Sequence, residues 1–156
     1  MVEPADAAHL ALGRRGEELA AAYLIKAGYR IVAANFSIPV GRNRLDVLIN
    51  VEIDLVAYEG ETLCFVEVKT RTSDWFAPPE ANVDRRKQRQ IARAARAYRR
   101  AFDLGDALCR YDVVTVVLPA TEDREAGASE FEIQLLRNYW TEQSLRKRVW
   151  SGYYYD

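Results

Sequence analysis

The stretch VEIDLVAYEGETLCFVEVKTR, residues 51–71, decides how this chain is read. Two apolar, β-branched runs flank a short polar break, Tyr58-Glu59-Gly60-Glu61-Thr62. A two-residue turn with glycine first, here Gly60-Glu61, is a favoured hairpin connection. That register sets Asp54 opposite Glu67 and Glu52 opposite Lys69, and opposed residues share a face. Asp54, Glu67 and Lys69 therefore converge on one side, among Val56, Tyr58, Leu63 and Phe65. The other side is apolar: Ile53, Leu55, Cys64, Val66 and Val68. Taking Glu59-Gly60 as the turn shifts the register by two and leaves the parity unchanged.

Two facing carboxylates repel, and each is costly to desolvate. A divalent cation between them resolves the conflict, and hard oxygen ligands suit Mg²⁺ or Mn²⁺. Lys69 adds a cation beside that position. The set is one that hydrolyses phosphodiesters, with Asp54, Glu67 and Lys69 as its catalytic residues. In this reading Glu52 is a neighbour opposite Lys69 and not a principal ligand; the competing reading is a solvated alternating strand face, with Glu52 and Lys69 as a cross-strand ion pair.

Outward from the hairpin, apolar residues recur at helical spacing from about His9 to Ala27, and Gly28 ends that helix. Residues 29–36 read as a strand, and SIPVGRNR, residues 37–44, as a loop. Strand-like sequence runs over 45–58 and again over 62–71. A long helix follows over roughly 79–102, then strands over 110–118 and 131–136. Helix, three strands, helix, two strands implies an α/β protein with a central mixed β-sheet flanked by α-helices. One domain fits the 156 residues, with its core over about 9–136 and an aromatic, basic tail over 138–156 that includes a short helix.

The formal net charge is -1, but residues 84–100 carry eight cations and one anion, Asp84. That segment is +7 and the remainder -8. Arg85, Arg89, Arg93, Arg96 and Arg100 form one helical stripe. Ile91, Ala94, Ala95, Tyr98 and Phe102 form the side that packs on the sheet. Such a stripe suits phosphate contact without base reading; the alternative is a solvated cationic face. Lys87 falls on the buried edge near the helix start, toward the acids. With Arg71 on the third strand, these cations are the candidate nucleic-acid contacts. Trp75 and Phe76 are placed either to stack on bases or to cover the core edge.

Other chemistries find no support in the sequence. It has no phosphate-cradling glycine loop, no nucleophilic Ser or Cys motif, no zinc spacing and no role for its one histidine, His9. No apolar stretch approaches the roughly 18 residues of a membrane span. The N-terminal segment lacks an apolar signal core, and Cys64 and Cys109 read as buried free thiols. A cytoplasmic location without membrane association is expected.

The runs GRRGEELAAAYLIKAGYRIVAANF, EIDLVAYEGETLCFVEVKTRTSDWF, KQRQIARAARAY and RYDVVTV, in that order, resemble the YraN-like family. The resemblance covers roughly residues 13–118. The family is placed in the PD-(D/E)xK superfamily, so a restriction-endonuclease-like fold is implied, similar to that of Holliday-junction resolvases. It implies that Asp54 and Glu67 hold a metal, helped by the Val68 carbonyl, that Lys69 is the catalytic lysine, and that Glu17 in the first helix joins the site. It implies DNA as partner, recognised by structure rather than sequence, with branched DNA a candidate substrate and a homodimer a candidate assembly. A non-catalytic nucleic-acid-binding module, and an interaction protein acting through its C-terminal tail, are the alternatives. Two departures from the family pattern are Val51, where glycine usually precedes Glu-Ile-Asp, and an insertion over residues 39–50 that adds Asp46.

Overall fold

The structure is a computed structural model and describes residues 3–73, 83–120 and 130–146. The elements are α1 (Pro4–Lys26), β1 (Arg30–Arg42), β2 (Leu48–Glu59), β3 (Thr62–Thr72), α2 (Arg85–Ala101), β4 (Cys109–Leu118) and β5 (Glu132–Trp140). A short 3-10 turn, Gln143–Leu145, follows β5. The strands form one sheet in the order β1-β2-β3-β4-β5, antiparallel throughout except for the parallel pair β3 and β4 joined through α2. This is the expected α/β order of helix, three strands, helix, two strands.

The hairpin register is the one the turn chemistry implies. Glu59 pairs with Thr62 and Tyr58 with Leu63, and the ladder continues inward to Leu55 and Val66. Gly60, first in the two-residue turn, has φ 57, a conformation that glycine adopts without a side-chain clash.

Each face of the sheet carries its own core. On one, Ile91, Ala94, Ala95 and Tyr98 of α2 cover Ile53, Val56, Leu63, Phe65 and Val113. The Phe65 and Tyr98 rings meet edge-on at 5.6 Å. On the other, Ala20 and Leu24 of α1 cover Leu55, Ala57, Cys64, Val66, Val114 and Val116. Gly16 is also buried in α1, and a Cβ there would land on the Thr70 side chain of β3. That missing methyl group lets the helix lie close against the sheet. Both cysteines are free, as the sequence implies, and no described helix is long and apolar enough to cross a membrane.

Several boundaries differ from the sequence reading. Residues 37–42 are strand, not loop: β1 and β2 stay paired out to Arg42 and Leu48, so residues 39–50 form the far end of a hairpin. Pro39 is tolerated because β1 is an edge strand and the ladder shifts between Pro39 and Gly41. At the tip, Asn43 Oδ1 accepts from the Leu45 and Val47 amides, and Asp46 pairs with Arg42 at 3.7 Å. The first helix begins earlier, at Pro4, because alanine-rich sequence sustains helix even where nothing covers it. The final strand is longer, reaching Trp140 and occupying the start of the expected tail. The described part of the second helix starts at Arg85, where Asp84 accepts from the Lys87 amide as N-cap. Phe102 is half exposed beyond its end, and Trp75 and Phe76 lie outside the described residues.

Away from the acids, a buried polar network ties three elements. Asp112, fully buried, accepts from Arg110 at 2.8 Å, from Tyr29 at 3.1 Å and from the Asn138 amide at 2.9 Å. Arg110 also pairs with Glu59 at 2.9 Å. Removing Asp112 takes the shared acceptor from Arg110, the Tyr29 hydroxyl and the Asn138 amide, so Asp112→Ala is expected to cost about 3 kcal/mol in urea unfolding. Gly16→Ala is expected to cost about 1–3 kcal/mol through overpacking against Thr70, measured the same way.

Candidate metal centre and cation cluster

The candidate site is built at a break in strand alternation. Strict alternation would put Ile53, Leu55 and Ala57 on one face. Instead Ile53 packs with Val56 on the α2 side, while Leu55 and Ala57 pack on the α1 side. β1 changes in step, since Ala33 and Phe36 both pack on the α2 side. The break lies between the pairs Ala34–Leu55 and Phe36–Ile53, at the level of Asn35 and Asp54. Asn35 carries φ 49 there, a left-handed conformation that asparagine adopts more readily than most residues.

Two consequences correct the sequence reading. Ile53 leaves the apolar set to which simple parity assigned it. Glu52, read as a neighbour of Lys69, joins Glu17 and Asp54 instead: ligand atoms of these three carboxylates all lie within 4.8 Å of one another. Glu17 reaches them from α1, where Asn35 Nδ2 donates to its Oε2 at 2.8 Å.

Beyond Leu55 and Val66 the β2–β3 ladder stops, and the Val68 amide donates to Asp54 Oδ2 at 2.8 Å. Asp54 is thereby held between two groups. On its α1 side stand Glu17 and Glu52. On its α2 side lies Glu67, 5% exposed, which approaches Lys69 Nζ at 3.7 Å and Lys87 Nζ at 3.8 Å. Both lysines are about two-fifths exposed and open toward solvent.

The electrostatics follow from this crowding. Burial, then the Asp54 charge, push the Glu67 carboxyl up to about 7, against the pull of Lys87 and Lys69. Glu17 is raised by burial and by Asp54 and Glu52, with Arg14 opposing. Carboxylates crowded in this way are relieved by a bound cation, and an all-oxygen donor set suits a hard divalent ion. Glu17, Glu52 and Asp54 could hold one, with Glu67 adjoining.

The remaining sequence candidates divide by position. Arg85, Arg89, Arg93, Arg96 and Arg100 are all exposed on α2, and Arg93 reaches back to the Val40 carbonyl of β1. Arg71 is half-buried near the end of β3, opposite Val117. Asp46 is at the hairpin tip, remote in register from Asp54, and Val51 is a core residue paired with Ile38. Asn35 was not singled out by the sequence reading. The available signal was an asparagine inside an otherwise apolar strand, where that residue is disfavoured.

A helix, a three-strand meander, a crossover helix and two more strands around a mixed sheet define an α/β protein of restriction-endonuclease-like architecture. The chain belongs to the uncharacterised protein family UPF0102, whose model matches residues 16–116, in agreement with the YraN-like resemblance of its motifs. It is 42% identical over 121 residues to the UPF0102 protein CT2262 of Chlorobaculum tepidum, covering 78% of this chain and 86% of that one. It is 44% identical over 133 residues to the UPF0102 protein of Chlorobium chlorochromatii, covering 85% and 93%. With the UPF0102 protein of Moorella thermoacetica it shares 42% identity over 115 residues, covering 74% and 87%.

The folded state holds a proton on Glu67 that the unfolded chain releases near pH 4.5. In chelator, the stability this contributes is complete below pH 4.5 and is lost as the pH rises through about 7. Urea titrations across that range are expected to show the decline, and Glu67→Gln is expected to flatten it.

Proposed function

We propose that this protein is a divalent-metal-dependent nuclease that hydrolyses phosphodiester bonds in DNA. The observation that carries the reading is the position of Asp54, with two carboxylates on one side and the Glu67–Lys69–Lys87 cluster on the other. An acidic cluster alone has many uses. One that adjoins a buried carboxylate and two half-exposed lysines is suited to a phosphoryl group.

In this reading Glu17, Glu52 and Asp54 hold Mg²⁺ or Mn²⁺, with Glu67 and the Val68 carbonyl adjoining. When bound, the ion supplies Lewis-acid stabilisation of the charge that builds on the phosphate. Glu67, whose carboxyl binds a proton near neutral pH, takes a proton from the attacking water. Lys69 sits beside it and offsets negative charge on the phosphoryl oxygens. Lys87 reaches the same carboxylate from α2 and anchors the basic helix at the reacting centre. Asn35 fixes the Glu17 carboxylate. The exposed arginines of α2 contact successive phosphates without reading bases, so recognition is of backbone and structure rather than sequence.

The basic helix also supports a second reading, a nucleic-acid-binding module of the same fold without catalysis. One experiment separates the two. Linear duplex, single-stranded and four-way-junction DNA are incubated with the protein in Mg²⁺, in Mn²⁺ and in chelator. The nuclease reading expects cleavage only with metal, and a fall of about a hundredfold or more for Lys69→Ala and Asp54→Ala. Equal cleavage by either variant would sink the assignment. Salt-sensitive binding without cleavage under any condition would establish the second reading.

A further inference from the structure

Part of the arginine stripe of α2 lies where the helix faces the 3-10 turn after β5. The two enclose a cleft of about 450 Å³. Its walls carry Arg89, Arg93 and Arg96 from the helix and Arg146 from beyond the turn. Ala92 and Leu145 supply an apolar surface between them. One anion, Glu142, also lines the cleft, and it is already engaged: Arg96 donates to its Oε1 at 3.1 Å and the Tyr111 hydroxyl at 3.0 Å. Four guanidinium groups against one carboxylate leave the cleft at +3.

Like charges gathered around one opening repel, and an anion placed between them removes that cost. The planar guanidinium fork matches phosphate oxygens, often through two parallel bonds. The site is also partly preorganised. Arg93 donates to the Val40 carbonyl of β1 at 3.1 Å, and Arg96 is held by Glu142, so two of the four side chains are already anchored.

Position supplies the ligand's identity. Lys87 stands at Glu67, and Arg93 and Arg96 follow six and nine residues later on the same helix. At a helical rise of 1.5 Å per residue, the far wall of the cleft, Arg93 and Arg96, lies about 9–14 Å along the axis from Lys87, with Arg89 nearer. One strand of B-form DNA carries a phosphate about every 3.4 Å of axis, so this is a distance of about three or four phosphates.

We propose that the cleft between α2 and the 3-10 turn is a secondary phosphate site. It takes a backbone phosphate of the strand whose scissile bond lies at Asp54, Glu67 and Lys69. The assignment to that strand rests on the nuclease reading; the phosphate chemistry of the cleft does not.

The test uses the full chain in chelator, so that binding is read without cleavage. Fluorescence anisotropy of a labelled duplex is measured for wild type, Arg89→Glu, Arg146→Glu and the milder Arg89→Gln and Arg146→Gln. Lys26→Glu, on α1, is the control. The cleft variants are expected to weaken binding at least tenfold at low salt and to reduce the salt slope by about one each, with the control unchanged. Binding that is unaltered in folded Arg89→Glu and Arg146→Glu proteins would overturn the site. Inorganic phosphate and a mononucleotide are added as competitors. Displacement only at concentrations that also displace the duplex from Arg146→Glu supports a strand phosphate. Selective, tight competition at the wild-type cleft would overturn the strand assignment in favour of a free phosphate ligand. Where metal-dependent cleavage occurs, trimming the duplex to two phosphates on that side is expected to raise KM for wild type and not for Arg146→Glu. Failure of cleavage with a retained effect of the cleft variants on binding would refute the nuclease reading while leaving a phosphate site.

Discussion

The Val68 amide donates to the Asp54 carboxylate where a backbone carbonyl would ordinarily receive it. The centre of the molecule is organised around that substitution. Two strands that are regularly paired from the turn to Leu55 and Val66 part there, and the Val68 amide finds its acceptor in a side chain. The same bond fixes a carboxylate in the opening. Around it α1 brings Glu17, β2 brings Glu52, β3 brings Glu67 and Lys69, and α2 brings Lys87. Each element contributes a side chain because each is packed on a sheet whose two faces meet at this fork.

The helices reach the fork for different reasons. α1 can approach because Gly16 presents no side chain to Thr70, which puts Glu17, the next residue, at the carboxylate cluster. α2 is held by apolar contacts along Ile91, Ala94, Ala95 and Tyr98, leaving its outer side to arginine. The one acid of residues 84–100, Asp84, is used as the N-cap. A helix that is charged in one sign would repel itself less with mixed signs, so its retention of eight cations is a cost in the isolated fold that anionic partners would remove.

Much of this arrangement is legible in the sequence because it depends on local rules. Gly60 fixes the turn, the turn fixes the register, and the apolar periods assign the helices and most strands. The proximity of Asp54 to Glu67 follows from the register alone. What the periodicity does not contain is the break at Asn35 and Asp54, since period-two reasoning assumes a regular pleat. That single irregularity reverses the place of Ile53 and recruits Glu52. The extended β1–β2 hairpin was hidden for a related reason: Pro39, Gly41 and Asn43 are loop residues by composition, and only pairing with β2 makes them part of a ladder and its turn. The role of Glu17 depends on a contact between distant elements and came from family resemblance rather than from pattern.

The bent first strand also bears on how the molecule behaves among its own copies. β1 is the longest strand and stands at the edge of the sheet, with one side unpaired among the described residues. A long, flat edge is a template for another chain. Here the ladder shifts between Ile31 and Ala33 and again between Pro39 and Gly41, and Asn35 turns left-handed between them. Proline offers no amide proton to an incoming strand. The longest regular stretch left is Phe36–Pro39, a short template for edge-to-edge growth. The kink that aims Asn35 at Glu17 thus also guards the sheet against aggregation.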